Sequence, residues 1–453
     1  MSDKITAHQN LMSDTPMGKL LFKMSWPAIL SMMIQACYNI VDTIFVSQVG
    51  EQAVAAVTYI FPIQLLMISF GVGTGVGINS LISRRLGAKR TDEANSAAVN
   101  GYFLAVINWL LFAVFGLFFA RQFMEAFTDT EFIIENGIVY LQIITIGCVF
   151  VMVQVTNEKI MQATGNMVIP MLCSLTGAVI NIVLDPMFIF GYSFFPEMGV
   201  AGAAVATVAG QMAGCLIGSL YVAVTEHAVK ISFRGFRPNM HILKDIYAVG
   251  APAIIMQAIG SVMNLGINAI VSGVSESAIA VLGIYQRLQS FAFMPCFGLT
   301  QGMLPVLGFN YGARNKKRFI EAYKKGLVVA MSIMVGCCIV FQIFPHQLLS
   351  IFNASENMYS IGISALRIIS LCFIPAAYGI TTSTTFQATG HGVISMIASL
   401  IRQLFGIIPI AYFLTKFIGI TGAWMSFPLA EILGTIFLVS AYIWHYKREL
   451  KNL

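Results

Sequence analysis

The feature that most restricts the fold of this chain is a series of long apolar segments separated by short polar breaks. A helix needs roughly 20 mostly apolar residues to cross the hydrocarbon core of a bilayer. Segments of that length recur twelve times, near residues 24–46, 54–80, 97–119, 137–156, 167–190, 199–223, 246–271, 278–307, 325–344, 361–383, 393–414 and 420–444. They are apolar all round, unlike the alternating strands of a barrel. Since only 10% of the residues are charged, the sequence predicts an all-α, polytopic membrane protein.

An internal repeat with an offset of 225 residues divides the chain into two halves. The four residues Gln162 to Gly165 recur as Gln387 to Gly390. The same offset relates Pro27 to Pro252, Asn39 to Asn264, Gly73 to Gly298, Gly77 to Gly302 and Gly87 to Gly312. Six spans return the chain to its starting side, so the halves share one orientation and are related by an axis along the membrane normal. The predicted organisation is a six-helix bundle at 1–224, a basic cytoplasmic linker at 225–245 and a second six-helix bundle at 246–453.

The glycines of the second span follow a spacing that resembles a phosphate-binding loop, from Gly71 through Gly73 and Gly75 to Gly77. The pattern fits neither nucleotide-binding motif, and its small-xxx-small spacing is typical of closely packed membrane helices. Because the chain has no ATP-binding motif of its own, any energy-requiring process in which it takes part is expected to use an ion gradient or a separate energising subunit.

Positive charge is distributed unevenly between the two sides of the predicted topology. The amino terminus, the 2–3, 6–7 and 8–9 loops, Lys159 and the carboxyl terminus hold 21 of the 26 Lys and Arg residues, whereas the opposite side holds only Arg121 and Lys416. Loops rich in Lys and Arg stay in the cytoplasm, so both termini are predicted to be cytoplasmic in a multi-pass protein of the cell membrane. This topology accounts for the net charge of +6 without any nucleic-acid partner.

Acidic side chains inside an apolar span are costly to desolvate and usually mark function. The predicted spans contain three of them: Asp42, Asp185 and Glu431. Asp42 shares one face of the first helix with three polar residues at helical spacing, namely Gln35, Tyr38 and Asn39. On the fifth helix, Asn181 and Asp185 lie one turn apart, followed by Pro186.

Two acidic faces in one half predict a single cation site. The alternative is that each aspartate only hydrogen-bonds a neighbouring helix, and that structural role is assigned to Glu431, which has no comparable polar face. Polar uncharged side chains inside the spans are the candidates for the substrate cavity: Gln35, Asn39, Gln154, Gln257, Asn264 and Gln286.

Catalytic and metal-binding clusters are not evident in the sequence. The eight cysteines fall in apolar spans without paired metal spacing, and the six histidines lie in polar connections or at span ends. We therefore expect no enzyme activity, no catalytic residue, no cofactor and no metal site, apart from a possible sodium site at Asp42, Asn181 and Asp185.

Several motifs make the chain resemble the multidrug and toxic compound extrusion (MATE) family along nearly its whole length. They are the helix-5 segment from Asn181 to Pro186, the segment Gln162 to Asn166 after helix 4, the segment Gly199 to Ala204 with Thr207 in helix 6, and Gly87 to Lys89 after helix 2. The resemblance implies two six-helix bundles arranged as a V. Such a protein opens alternately to either side and exports mostly cationic, amphipathic compounds in exchange for protons or sodium.

The chain resembles the bacterial drug-exporting branch of that family, and this resemblance implies roles for individual residues. It places Asp42, Asn181 and Asp185, with Tyr38 and Thr207, at the cation site. It also implies a hinge in helix 1 at Pro27, although a proline in the first turn of a helix would equally cost little. Another branch has acidic residues on helices 7, 8 and 10, which this sequence lacks there, so coupling through the second half is not expected.

The function predicted from the sequence is cation-coupled antiport, with either protons or sodium as the coupling ion. The expected partners are small amphipathic cationic compounds and the lipid bilayer, and the expected state is a monomer. The alternative is a flippase for lipid-linked oligosaccharides or cell-wall precursors. A pyrophosphate headgroup would require several inward basic residues, whereas the spans contain only Arg287, Arg367 and Arg402.

Overall fold

The computed structural model describes residues 11–192, 195–225, 228–352 and 354–452, and side chains 38–44, 46, 47, 51, 276 and 452 lie outside this description. Helices occupy nearly all of the described ranges, and no strand occurs in them. Eleven helices are long and apolar enough to cross a membrane, and a bent pair of helices provides a twelfth span. The all-α fold with twelve spans is thus confirmed.

The membrane-crossing helices of the described ranges are arranged as six in each half, and a short helix at Pro345–Ser350 lies between the ninth and tenth spans. The first half contains α1 (Met17–Val49), α2 (Glu51–Gly87), α3 (Thr91–Glu125), α4 (Glu131–Ala163), α5 (Val168–Phe190) and α6 (Val200–Val224). The second half contains α7 (Met240–Ser272), α8 (Glu276–Gly312), α9 (Lys316–Ile343), α10a (Glu356–Ser370), α10b (Phe373–Thr389), α11 (Gly392–Ile418) and α12 (Ile420–Arg448). The α10a and α10b segments are bent by 43°, and α11 includes a π-helical stretch at Leu400–Ile407.

The internal repeat is preserved in the backbone conformation of the turns. Six of the residues with a positive φ form pairs between the halves. Lys89 (φ 59°) pairs with Arg314 (φ 53°) and Gly165 (82°) with Gly390 (93°) at the offset of 225 residues, and Gly199 (51°) pairs with Gly419 (62°) at an offset of 220. A positive φ is uncommon for a residue with a side chain, so its recurrence at Lys89 and Arg314 is informative. Both amides donate to the carbonyl three residues earlier at 3.1 Å. The two halves therefore end α2 and α8 in the same way, which confirms the repeat.

The two halves pack together through α1 against α8 and through α2 against α7 and α8. The repeated glycines lie at these contacts. A Cβ atom at Gly73 would overlap Ile254, and one at Gly298 would overlap Ile29, which is the repeat equivalent of Ile254. The other glycines at which an added Cβ would overlap the opposite half are Gly77, Gly87, Gly302, Gly312 and Gly390. The glycine pattern therefore allows close backbone approach between the halves.

Polar contacts join the halves at the same end of the molecule. Ser80 Oγ donates to the Gln387 carbonyl at 2.6 Å, and Arg85 Nη2 lies 2.7 Å from Asp245 Oδ2. These residues lie toward the 2–3, 6–7 and 8–9 loops, so we call this the basic end. The basic end of the molecule is therefore closed in this conformation.

Pro27 lies in the interior of α1, which corrects one interpretation of the sequence. The helix begins at Met17 and continues through Pro27 to Val49, so the proline is not in the first turn. The proline was expected to cost little stability because of a position in the first turn, and that expectation is wrong. An interior proline has no amide proton for the carbonyl one turn earlier and bends or weakens a helix there. Pro252 occupies the equivalent interior position in α7. A hinge at Pro27 stays a prediction.

The end of α4 provides a second correction. The predicted span stops at residue 156, but the helix continues to Ala163. Lys159, which the sequence places among the basic loops, is instead 5% exposed inside the helix. Glu158 is a further acidic side chain within a membrane-spanning helix, beyond the three predicted. Adjacent charges lower the local hydropathy, which is why the apolar window ended too early.

Candidate functional site

A buried polar group on α5 and α6 lies inside the first half. Asn181 and Asp185 are 2% and 0% exposed. Asn181 Nδ2 lies 3.4 Å from Asp185 Oδ1 and 3.3 Å from Thr207 Oγ1. With the amide turned over, Asn181 donates to Asp185 Oδ2 at 3.0 Å and accepts from the Thr207 backbone amide at 3.1 Å. The structure thus brings together three of the five residues predicted to form the cation site.

The other predicted cation-site residues lie on α1. Tyr38 and Asp42 belong to its helical backbone, but their side chains lie outside the described residues. The α1 helix packs along α5, so the two helices that carry the predicted acidic faces are neighbours within the first half. Their proximity is compatible with one shared site.

A small cavity lies between α1, α4, α5 and α8. It measures about 50 Å³, and its lining includes Ser31, Met32, Gln35, Glu158, Ser174 and Gln301. We call it the Glu158 cavity. Glu158 Oε1 accepts from Gln154 Nε2 at 3.0 Å and from Ser174 Oγ at 3.3 Å. A volume near 50 Å³ holds one or two waters or an ammonium group, so the cavity is too small for a whole drug molecule.

Lys159, the residue next to Glu158, reaches the contact between the halves beside this cavity. Its Nζ donates to Gln162 Oε1 at 3.0 Å and to Gln301 Oε1, on α8 of the second half, at 3.1 Å. Asn79 donates to the same Gln162 oxygen at 3.4 Å. The side chain passes over Gly75, where a Cβ would overlap its methylene groups. Lys159 therefore helps to join the halves at the basic end.

The predicted substrate-cavity residues separate into two groups. Gln35 lines the Glu158 cavity and Gln154 bonds Glu158 itself. On the second half, Gln286 Nε2 of α8 lies 3.4 Å from Asn264 Oδ1 of α7, and Gln257 is exposed on α7. Among the described side chains, no hydrogen bond joins the two groups. The side chain of Asn39, the sixth predicted residue, lies outside the described part of the chain.

The intramembrane arginines do not converge on one site in the described part of the chain. Arg402 Nη1 lies 3.1 Å from Glu431 Oε1, which is the helix-to-helix pairing expected for that carboxylate. Arg367 Nε donates to the Gln342 carbonyl at 3.3 Å, and Arg287 is exposed. This arrangement lacks the grouped basic side chains that a pyrophosphate headgroup requires.

Comparison with known families places these features in context. The MatE family model matches residues 27–187 and 252–413. These two segments begin at the repeat-related prolines, Pro27 and Pro252, and together they span both halves. The chain belongs to the MatE family. The resemblance inferred from the sequence motifs is thereby confirmed.

Individual relatives match along nearly the whole chain. Multidrug export protein MepA of Staphylococcus aureus is 25% identical over 423 residues, which is 92% of each chain. An FAD transporter of Shewanella oneidensis is 24% identical over 422 residues, again 92% of each. A solved outward-facing structure of a multidrug resistance MATE family transporter of the MOP superfamily superposes with a TM-score of 0.90 at 28% identity, covering 98% of both chains. The protein is therefore a membrane transporter of the MatE family and not an enzyme.

Two elements of this MatE transporter site were missed by sequence reasoning. Glu158 was omitted because the fourth span was drawn too short, although its spacing from Gln154 on one helix face was visible in the sequence. The contact of Lys159 with Gln301 joins residues 142 positions apart, and no local pattern indicates such a pairing.

Proposed function

We propose that this MatE transporter is an antiporter that exports amphipathic, mostly cationic compounds in exchange for a coupling cation. The observation that supports the proposal is the buried group of Asn181, Asp185 and Thr207 inside the first half. A carboxyl group in an apolar bundle is expensive to desolvate and is characteristic of ion and proton pathways. Asp42 and Tyr38 on the adjacent α1 would complete this cation site.

Alternating access would couple the export of the drug to the inward movement of the cation. The cation and the drug need only prefer opposite states of the protein, because a ligand shifts an equilibrium by its differential affinity. Opening the basic end would break the Lys159 to Gln301, Ser80 to Gln387 and Arg85 to Asp245 contacts, and Pro27 would act as the hinge in α1. One charge crossing 100 mV is worth about 2.3 kcal/mol, which supports a drug gradient of roughly 50-fold.

Protons are the coupling ion that we favour. Desolvation in an apolar bundle favours the neutral, protonated form of a carboxyl group. Sodium would instead need a charged carboxylate with several oxygen ligands, which Asp42, Asn181 and Asp185 would have to supply. Both halves contribute to the cavity within one chain, so a monomer is sufficient for transport.

The acidic side chain of the Glu158 cavity supports the proposed substrate class, because a bound cation would offset the desolvation that otherwise favours its neutral form. Its carboxylate is adjacent to Gln35 and to methionine side chains, which repack readily around varied apolar groups. Lys159, the nearest cation, is occupied by two glutamine oxygens. A cationic group on an amphipathic compound is therefore the expected occupant, with its apolar part in the adjoining space between the halves.

The substrate proposal is tested by uptake measurements in cells that lack their own efflux pumps. Expression of the chain should lower the accumulation of ethidium and tetraphenylphosphonium several-fold, while an anionic dye of similar size is unaffected. One relative is an FAD transporter, so FAD is the informative alternative substrate. Export of FAD without export of the cations would overturn the proposed substrate class.

The proposed orientation has both termini in the cytoplasm of the cell that carries the protein in its plasma membrane. Exposed positions at the two ends allow a direct test in a variant whose native cysteines are replaced by alanine. Cysteines introduced at Arg90 or Lys317 should resist an impermeant thiol reagent added outside intact cells, whereas one at Asp129, on the opposite side, should react. The reverse pattern of labelling would invert the topology.

A further inference from the structure

Three side chains with metal-binding groups meet at the basic end of the second half. His391 lies in the turn between α10b and α11, His445 in the last turn of α12, and Glu449 directly after α12. One ligand atom from each lies within 4.8 Å of the other two. Among the residues that the structure describes, this is the one such group of three or more His, Cys, Asp or Glu side chains. We propose that it binds a divalent transition metal of the Zn²⁺ type.

The distances suit such an ion. His391 Nε2 lies 3.2 Å from Glu449 Oε1, and His445 Nδ1 lies 3.8 Å from Glu449 Oε2. Ligand atoms about 2.0–2.1 Å from a tetrahedral zinc ion are roughly 3.3 Å apart, so small side-chain movements would close the site. Two imidazoles and one carboxylate are also a ligand set that zinc uses when a fourth position is left to water.

His445 provides independent support, because its side chain is 0% exposed. Neither ring nitrogen has a hydrogen-bond partner among the described residues. A buried polar group without a partner loses its interaction with water and gains nothing in return. Phe386 packs 5.4 Å from the ring and His391 packs 4.8 Å from it. A metal ion at Nδ1 would satisfy one of the two buried nitrogens.

The other two ligands are already oriented by neighbours. Thr389 Oγ1 lies 3.3 Å from His391 Nδ1, which leaves Nε2 directed at the cluster. Tyr311 Oη donates to Glu449 Oε2 at 2.8 Å. Partners of this kind fix the tautomer and the direction of metal ligands in proteins.

The internal repeat shows that the cluster is not required by the fold. The first-half equivalent of His391 is Asn166, which donates to Tyr221 on α6 at 2.9 Å and caps the start of α5. A neutral hydrogen bond is therefore sufficient to join this turn to the last helix of a half. Where the first half has this hydrogen bond, the second half has three side chains that can bind a metal ion.

A bound metal would also act on the contact between the halves. The turn that holds His391 follows Gln387, whose carbonyl accepts from Ser80 of the first half at 2.6 Å. Gly390 packs against Arg84 of the first half, with a φ of 93°. Fixing this turn to α12 and Glu449 would stabilise the closed basic end, so the metal is expected to favour the present conformation.

The test uses full-length protein purified without a histidine tag and stripped of metal with a chelator. Titration with Zn²⁺ should show one saturable site per chain, and Co²⁺ should give the visible absorption of a tetrahedral site with nitrogen and oxygen ligands. His391→Asn, which copies the first-half residue, and Glu449→Gln should each weaken binding at least tenfold. His346→Asn, a change at an exposed histidine outside the cluster, should leave the affinity unchanged.

Two outcomes would overturn the proposal. One is the absence of saturable Zn²⁺ binding by the unmodified chain, which is decisive even if a variant fails to fold. The other is equal affinity in His391→Asn, Glu449→Gln and the unmodified chain, which would place the ion elsewhere. Neither readout needs transport activity, so the metal site and the antiport mechanism are tested separately.

Discussion

Replacing Asp185 by asparagine should abolish gradient-driven export while leaving a folded protein in the membrane. The asparagine side chain has nearly the same shape and can still hydrogen-bond Asn181, which in turn contacts Thr207, so the packing of α5 against α6 should survive. It cannot take up a proton or present a full negative charge, and the coupling ion would lose its principal ligand. Export of ethidium from cells should fall to the level of cells without the transporter.

The matched control is Glu125→Gln, because that carboxylate is exposed and pairs with Arg121 at 3.3 Å on the opposite side. Exposed pairs of this kind contribute at most about 1 kcal/mol, so export should be unchanged. Normal export by Asp185→Asn would refute the cation-site assignment. Loss of the protein from the membrane would instead show that Asp185 serves packing, which is the structural alternative for this residue.

Replacing Glu158 by glutamine should weaken the binding of cationic substrates without abolishing coupling. Hydrogen bonds to a charged group contribute about 1.5–3 kcal/mol, which corresponds to a loss of roughly 10- to 150-fold in affinity. Glutamine can still accept from Gln154 and Ser174 through its carbonyl oxygen, so the cavity should keep its shape. Fluorescence titration of the purified protein with ethidium measures the effect directly.

Ser174→Ala is the control for the Glu158 experiment. It removes the weaker hydrogen bond to Glu158, at 3.3 Å, while keeping the charge. A change of only a few-fold in ethidium affinity is expected. Equal affinities for the unmodified chain and Glu158→Gln would show that Glu158 is a structural partner of Gln154 and takes no part in substrate binding.

The sequence was sufficient to predict the membrane class and the duplicated architecture. Twelve apolar runs indicate spans directly, and repeated identities such as Gln162 with Gln387 indicate two equivalent halves. The same repeat also marks the contact between the halves. Gly73 packs against Ile254, and its repeat equivalent Gly298 packs against Ile29. Periodicity and small-residue spacing are local signals, so they can be detected in the sequence without any knowledge of the tertiary structure.

The ends of the helices and the contacts between distant residues were harder to predict from the sequence. Hydropathy detects the apolar centre of a helix, so it placed Pro27 near the start of α1 and left Glu158 and Lys159 outside α4. The backbone continues its hydrogen bonding beyond the apolar centre, and both corrections follow from that fact. His391 and His445 illustrate a different limit. Their meeting depends on how α12 packs beside a turn, which no spacing rule in a single sequence encodes.

Antiport driven by protons at the first-half site is tested most directly in proteoliposomes loaded with a fluorescent lipophilic cation. An imposed pH gradient without sodium should drive movement of the cation in the unmodified protein, and Asp185→Asn and Asp42→Asn should each stop it. A sodium gradient at equal pH on both sides should have little effect. Cation movement that follows the sodium gradient and ignores the pH gradient would contradict proton coupling, and movement that needs neither gradient nor these aspartates would contradict antiport itself.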